Sequence, residues 1–201
     1  MMSFLHTVQS YYFSNYYHNS IHALDVTNSC AYFLRVGFGS LFSEVDLDSA
    51  QLETITLLIS ATLHDVGHPG FNNAFMVSVG TTQSLIYNDQ SVLENYHCSL
   101  SYQIIQKEKN NILKHLSKED KVAFRKLLIN NILSTDLGKH FPIIKKFESA
   151  IDVEFKLSDE QNRHMAMAVA LKCAGRCSSY SRRGPQCKVP RSPQDLESQS
   201  H

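Results

Sequence analysis

The stretch "AQLETITLLISATLHDVGHPG", Ala50–Gly70, begins as a helix and ends as something else. Leu52, Ile55, Leu58, Ile59 and Thr62/Leu63 recur at helical spacing and make one apolar stripe. The glycines and proline of "GHPG" then force the chain to turn. His64, Asp65 and His68 fall where the helix is breaking, so the backbone there is free to aim neighbouring side chains at one point.

The same helical spacing extends along the chain on both sides, and no convincing alternating strand appears. Helix starts are marked by Ser91-x-x-Glu94, Ser117-x-x-Asp120 and Ser158-x-x-Gln161, which fit capping boxes or close relatives. The pattern predicts helices over roughly 2–14, 20–36, 48–66, 72–79, 91–107, 118–135, 139–149 and 159–174. Connections carry Gly, Asn, Asp or Pro, as in "RVGFGS" and "YNDQS". The expected fold is all-α, a compact multi-helix domain over residues 1–174. From Gly175 to His201 the sequence turns rich in Ser, Arg, Pro and Gly, and such a segment cannot bury enough apolar surface to offset its ordering entropy. It is expected to be a disordered tail that breaks off what looks like a buried helix, "MAMAVALKCA".

Lys plus Arg and Asp plus Glu stand at 19 each, which gives no reason to expect nucleic acid or an anionic membrane as the main partner. No apolar run approaches the roughly 20 residues that span a bilayer, and the N-terminus lacks the parts of a signal peptide. The expectation is a soluble cytoplasmic protein. Five irregularly spaced cysteines read as reduced thiols rather than a disulfide framework.

Two histidine segments could carry chemistry. In "YHNSIHALDV", His18, His22 and Asp25 share one face if the segment is helical. The second is His64-Asp65-x-x-His68. Imidazole nitrogen and carboxylate oxygen together suit Zn2+, and a carboxylate can also bridge to a harder ion such as Mg2+. A single histidine in a Tyr-rich helix is ordinarily a hydrogen-bonded structural residue; two such segments beside helices that could pack antiparallel put a two-metal hydrolytic centre level with that structural reading.

Four motifs in order, "YYHNSIHALDV", "LHDVGHPGFNNAF", "LIYNDQSVLENYHCSLSYQII" and "LSTDLGKH", resemble the catalytic domain of class I 3',5'-cyclic nucleotide phosphodiesterases, a group of HD-type metal-dependent phosphohydrolases. The resemblance covers about residues 2–174. It implies hydrolysis of cAMP or cGMP to the 5'-monophosphate in signal transduction, with two divalent metals, Zn2+ and Mg2+ or Mn2+. It further implies His18 as general acid, His22 and His64 as zinc ligands, and Asp65 as the carboxylate between the metals. His68 falls beside the phosphate and the water between them. Glu94 and Thr135 match residues that hold water on the second metal, and Asn73 and Asp136 match nearby motif positions. Glu94 could equally complete a capping box, and Thr135-Asp136 could simply end a helix.

Two departures stand out. The family often reads HDVDH where this chain has Gly67, a change not expected to abolish the site. The family also continues its "KCA" helix with an aspartate, the fourth protein ligand of zinc, and here that position is Gly175. The resemblance stops there, and the later family helices that hold the purine have no counterpart in 175–201. The domain is therefore expected to be incomplete at its C-terminal end and weak or inactive in catalysis. Apolar faces left uncovered would favour self-association or a protein partner.

Overall fold

A computed structural model describes residues 1–36 and 47–181. Among these the chain forms nine α-helices and no strand: α1 Met2–Ser10, α2 Ser20–Val36, α3 Leu47–Leu63, α4 Asn73–Ser78, α5 Thr82–Ile86, α6 Val92–Gln106, α7 Lys118–Ser134, α8 His140–Glu154 and α9 Glu160–Ser181. Most of the "RVGFGS" connection, and everything beyond Ser181, lies outside the described residues.

Several ends differ from the spacing-based expectation, each for a local reason. Helix α1 stops at Ser10 rather than near residue 14, because the Tyr12 hydroxyl reaches the Thr62 carbonyl of α3 at 3.0 Å and draws the chain off the helical path. Helix α5 lacks the length to show a period; Thr81 starts it by accepting the Ser84 N–H at 3.2 Å. Ser117 caps α7 as expected, but Ser158 does not cap α9; Asp159 does so, accepting the Gln161 N–H at 2.8 Å. Helix α9 also runs past Ala174 to Ser181, so the helix does not end where the composition changes.

Helices α2, α3, α7 and α9 pack on one another, and α6 closes onto α7. Helix α3 lies at the centre because it is buried on two faces. Leu57 and Ala61, four residues apart, enter one apolar cluster with Val26, Cys30, Met167 and Leu171. Ile59 and Leu63 enter another with Phe4, Leu100, Ile104, Phe124 and Leu128. Val66, already inside the turn that follows α3, is fully buried in the second cluster. Each such side chain stabilises the fold by roughly 2 kcal/mol, more than the ~1 kcal/mol of an ordinary helix cap. Packing of Leu63 and Val66 therefore decides where the His-Asp turn sits.

Candidate metal centre

The site is built where the N-terminus of α2 meets the C-terminus of α3. Asn19 starts α2 by accepting the N–H groups of Ile21 and His22 at 3.0 and 3.1 Å, which puts His22 in the first turn. Past Leu63 the chain leaves helical geometry. The Val66 N–H bonds to the Leu63 carbonyl and the His68 N–H to the Asp65 carbonyl, folding His64–His68 into consecutive turns. Gly67 sits there at φ +73°, and a Cβ on it would lie 2.5 Å from Leu100 Cδ2. Glycine lets the turn take a left-handed conformation and press directly on α6. Asn15 ties the two histidine segments together, its side-chain amide donating to the carbonyls of His18 (3.1 Å) and His68 (2.7 Å).

His22, His64 and Asp65 converge. All three are buried, and their ligand atoms lie within 4.8 Å of one another. Asp65 Oδ2 is 3.3 Å from His22 Nε2 and 3.2 Å from His64 Nε2. His64 Nδ1 donates to the Ala61 carbonyl at 2.8 Å, which turns Nε2 toward Asp65. Two buried imidazole nitrogens facing one carboxylate oxygen need a positive centre among them, a proton or a cation. Burial would raise the Asp65 carboxyl, but His64 and His22 outweigh it and hold it well below the usual range. Burial would lower His64, and the Asp65 charge outweighs that and raises it. A divalent cation satisfies all three donors at once, so the residues fit a metal.

Around this trio stand three more histidines. His18, in the bend before α2, stacks on His68 with ring centres 3.9 Å apart. Burial lowers His18, partly opposed by the Asp65 charge. His68 Nδ1 accepts the Gly70 N–H at 3.0 Å, and burial pushes its pKa down to about 3, so its other nitrogen carries the proton. His97 on α6 went unrecognised in the sequence. It is buried, its Nδ1 donates to the Val66 carbonyl at 2.8 Å, and its Nε2 lies 4.0 Å from Asp65 Oδ1. Burial lowers its pKa to about 4 and keeps it neutral. The available signal was its spacing, three residues after Glu94 on one helix face. Asp25, one turn beyond His22, is not part of the metal-competent trio.

Asn73 and Glu94 form a second group. The Asn73 amide donates to Glu94 Oε2 at 2.9 Å, and its carbonyl oxygen accepts the Leu93 N–H at 2.9 Å. Asn73 thus caps α6 from across space, and the expected Ser91–Glu94 capping box does not form. Ser91 sits at φ +43° and donates its hydroxyl to Asp136 Oδ2 at 2.7 Å instead. Burial raises the Glu94 carboxyl, and the charges of Asp136 and Asp65 push the same way, against the Asn73 bond. Thr135 ends α7, its hydroxyl donating to the Ile132 carbonyl at 2.7 Å, and Asp136 Oδ1 accepts the Gly138 N–H at 2.8 Å. Both close a turn.

An all-helical domain folded around a buried His-His-Asp cluster is the class that fold and site define. A family model described as 3'5'-cyclic nucleotide phosphodiesterase matches residues 17–183, and the chain belongs to that family. It is 36% identical over 179 residues to the 3',5'-cyclic-nucleotide phosphodiesterase regA of Dictyostelium discoideum, a match covering 86% of this chain and 21% of that protein. It is 32% identical over 156 residues to the 3',5'-cyclic-AMP phosphodiesterase 4C of Rattus norvegicus, covering 77% of this chain and 28% of that one. The crystal structure of the phosphodiesterase domain of the RhoPDE fusion protein from the choanoflagellate Salpingoeca rosetta superposes with a TM-score of 0.77 at 30% identity, over 86% of this chain and 53% of that one. The chain therefore spans about half of that solved domain and a smaller share of these curated relatives. No helix among the described residues is long and apolar enough to cross a membrane.

Proposed function

We propose that this chain carries the metal-binding half of a cytoplasmic 3',5'-cyclic nucleotide phosphodiesterase, acting in signal transduction on cAMP, cGMP or both. The observation that carries the reading is the approach of His22 Nε2 and His64 Nε2 to the same oxygen of Asp65, with His64 locked by the Ala61 carbonyl. The buried thiols of Cys30 and Cys98, neither in a disulfide, suit a reducing compartment.

His22, His64 and Asp65 would hold Zn2+, and Asp65 with the region near Glu94 a harder ion such as Mg2+ or Mn2+. When bound, such ions supply Lewis-acid polarisation of a phosphoryl oxygen and activation of water. The chain's own groups do the rest. His68, neutral with its Nδ1 occupied, offers an N–H donor beside the trio and orients His18 by stacking. His18 is the general acid for the leaving 3' oxygen. Burial disfavours its charged form, and an incoming phosphate anion restores it, so the proton is held when substrate is present. Asn73 holds Glu94 in place; Thr135 and Asp136 shape the neighbouring turn.

Gly175 contributes no side-chain ligand, so three protein donors remain and turnover is expected to be slow. The test is hydrolysis of cAMP and cGMP by the purified chain with Zn2+ and Mg2+, beside its Gly175→Asp and His18→Ala variants. Turnover that rises in Gly175→Asp and is lost in His18→Ala supports the reading. Activity unaffected by either change contradicts it.

A second reading is a non-catalytic chain that acts by association. Its support is the exposure of Phe141 (82%) and Val153 (88%) on α8. Light scattering decides it: a strictly monomeric chain across the micromolar range rules out self-association as its mode of action.

A further inference from the structure

Lys172 on α9 is 4% exposed and is used by none of the chemistry above. Its Nζ donates to the carbonyls of Ser134 (3.0 Å) and Asp136 (2.8 Å), where α7 ends. The Ser134 carbonyl belongs to the negative end of α7, and that of Asp136, past the end of the helix, also accepts the Lys139 N–H at 3.2 Å; the buried ammonium answers the helix dipole at the first and the remaining lone pair of the second. Burial lowers the pKa of the lysine, opposed by the nearby carboxylates of Asp136 and Glu94. Desolvating an ammonium is costly, and a helix terminus can be capped more cheaply by a glycine. The charge therefore calls for a use beyond capping.

The partners of the turn it holds supply one. Asp136, whose carbonyl takes the lysine, presents Oδ2 to the Ser91 hydroxyl. Ser91 stands at the head of α6 in the left-handed region, a conformation that costs a non-glycine residue energy and persists only where its neighbours fix it. One turn further along α6 is Glu94, held on its other side by Asn73. A continuous line of polar contacts thus runs from α9, through the end of α7, to the head of α6.

We infer that Lys172 is a positioning residue for the acidic side of the metal centre: by fixing the Ser134–Asp136 turn it fixes Ser91, and through α6 it sets where Glu94 stands relative to Asp65. This rests on the two-cation reading above. In that arrangement the Zn2+ donors His22, His64 and Asp65 do not depend on Lys172, and the second cation does. Helix α9 then serves the site twice, through Lys172 and, one turn later, through the ligand position at Gly175.

The test uses the full chain, stripped with chelator, loaded with one equivalent of Zn2+, and titrated with Mn2+ while free Mn2+ is counted by its electron paramagnetic resonance signal. Lys172→Met keeps the length of the side chain and removes the charge. It is expected to weaken Mn2+ binding about tenfold, the scale on which outer partners of a metal site act, while Zn2+ affinity stays unchanged. Ser91→Ala cuts the same line at its far end without touching α9 and is expected to show the same selective loss, with helical circular dichroism retained. Unchanged Mn2+ binding in either variant overturns the inference. A parallel loss of Zn2+ and Mn2+ in folded Lys172→Met also overturns it, since that is a general structural effect. If the unmodified chain takes up Zn2+ and no Mn2+, the two-cation reading itself fails, and this inference falls with it.

Discussion

The Tyr17 hydroxyl donates to the backbone carbonyl of Gly175 at 3.1 Å. The Tyr17 ring lies 4.4 Å from that of His22, so Gly175 is one side chain away from a metal-competent histidine. A Cβ built on Gly175 meets nothing within 4 Å. Helix α9 is therefore docked beside the candidate metal centre at the residue where the resemblance implies an aspartate, and a side chain there has room.

Gly175→Asp is accordingly expected to be tolerated and to raise Zn2+ affinity. The gain should be at least the roughly tenfold that even outer partners of metal sites are worth. Competition against a calibrated zinc chelator measures it, with Gly175→Ala as the control for the added helix propensity. Equal affinity in all three chains would show that position 175 does not reach the metal.

Gly67→Ala is expected to destabilise the fold by about 2 kcal/mol, because φ is +73° there and the new methyl would stand 2.5 Å from Leu100 Cδ2. The cost exceeds that of conformational strain alone if Leu100 cannot move. Urea denaturation followed by circular dichroism gives the value, and a neutral result would mean that the turn after α3 relaxes freely.

Away from the metal centre, Glu53 and Arg163 form a buried bidentate pair at 2.9 and 3.0 Å that joins α3 to the start of α9. Burial would raise the Glu53 carboxyl, but His164 and Arg163 outweigh it and lower it from 4.5. A carboxylate with a lowered folded pKa stabilises the fold above its ordinary value and loses that contribution as pH falls through the folded value. The contribution of this pair should thus be flat around neutrality and decline below about pH 4.5. Glu53→Gln leaves Arg163 buried without its countercharge and is expected to cost about 3 kcal/mol at pH 7. Its stability should fall less steeply with acid than that of the unmodified chain; parallel pH profiles would contradict the assignment.

The all-α fold was legible because apolar residues at helical spacing extend over long segments, as in α3, and the His-Asp turn was legible because glycine and proline mark it. The trio itself could be read from two motifs. What could not be read were contacts whose partners lie far apart in sequence. Ser91 followed by Glu94 fits a capping box, yet Asp136, 45 residues on, takes the serine hydroxyl and Asn73 takes the glutamate. His97 looks like one more polar residue of an amphipathic helix until Val66 and Asp65 come against it. The composition beyond Ala174 signals an end to burial, whereas Tyr17 holds α9 at Gly175 and the helix continues.

The most direct measurement is the zinc content of the purified chain after exposure to Zn2+ and removal of free ion, beside His64→Ala. We expect one zinc per chain, lost in His64→Ala while helical circular dichroism is retained. A fully helical chain that keeps no zinc, or a His64→Ala variant that keeps as much as the unmodified chain, would contradict a metal centre at His22, His64 and Asp65.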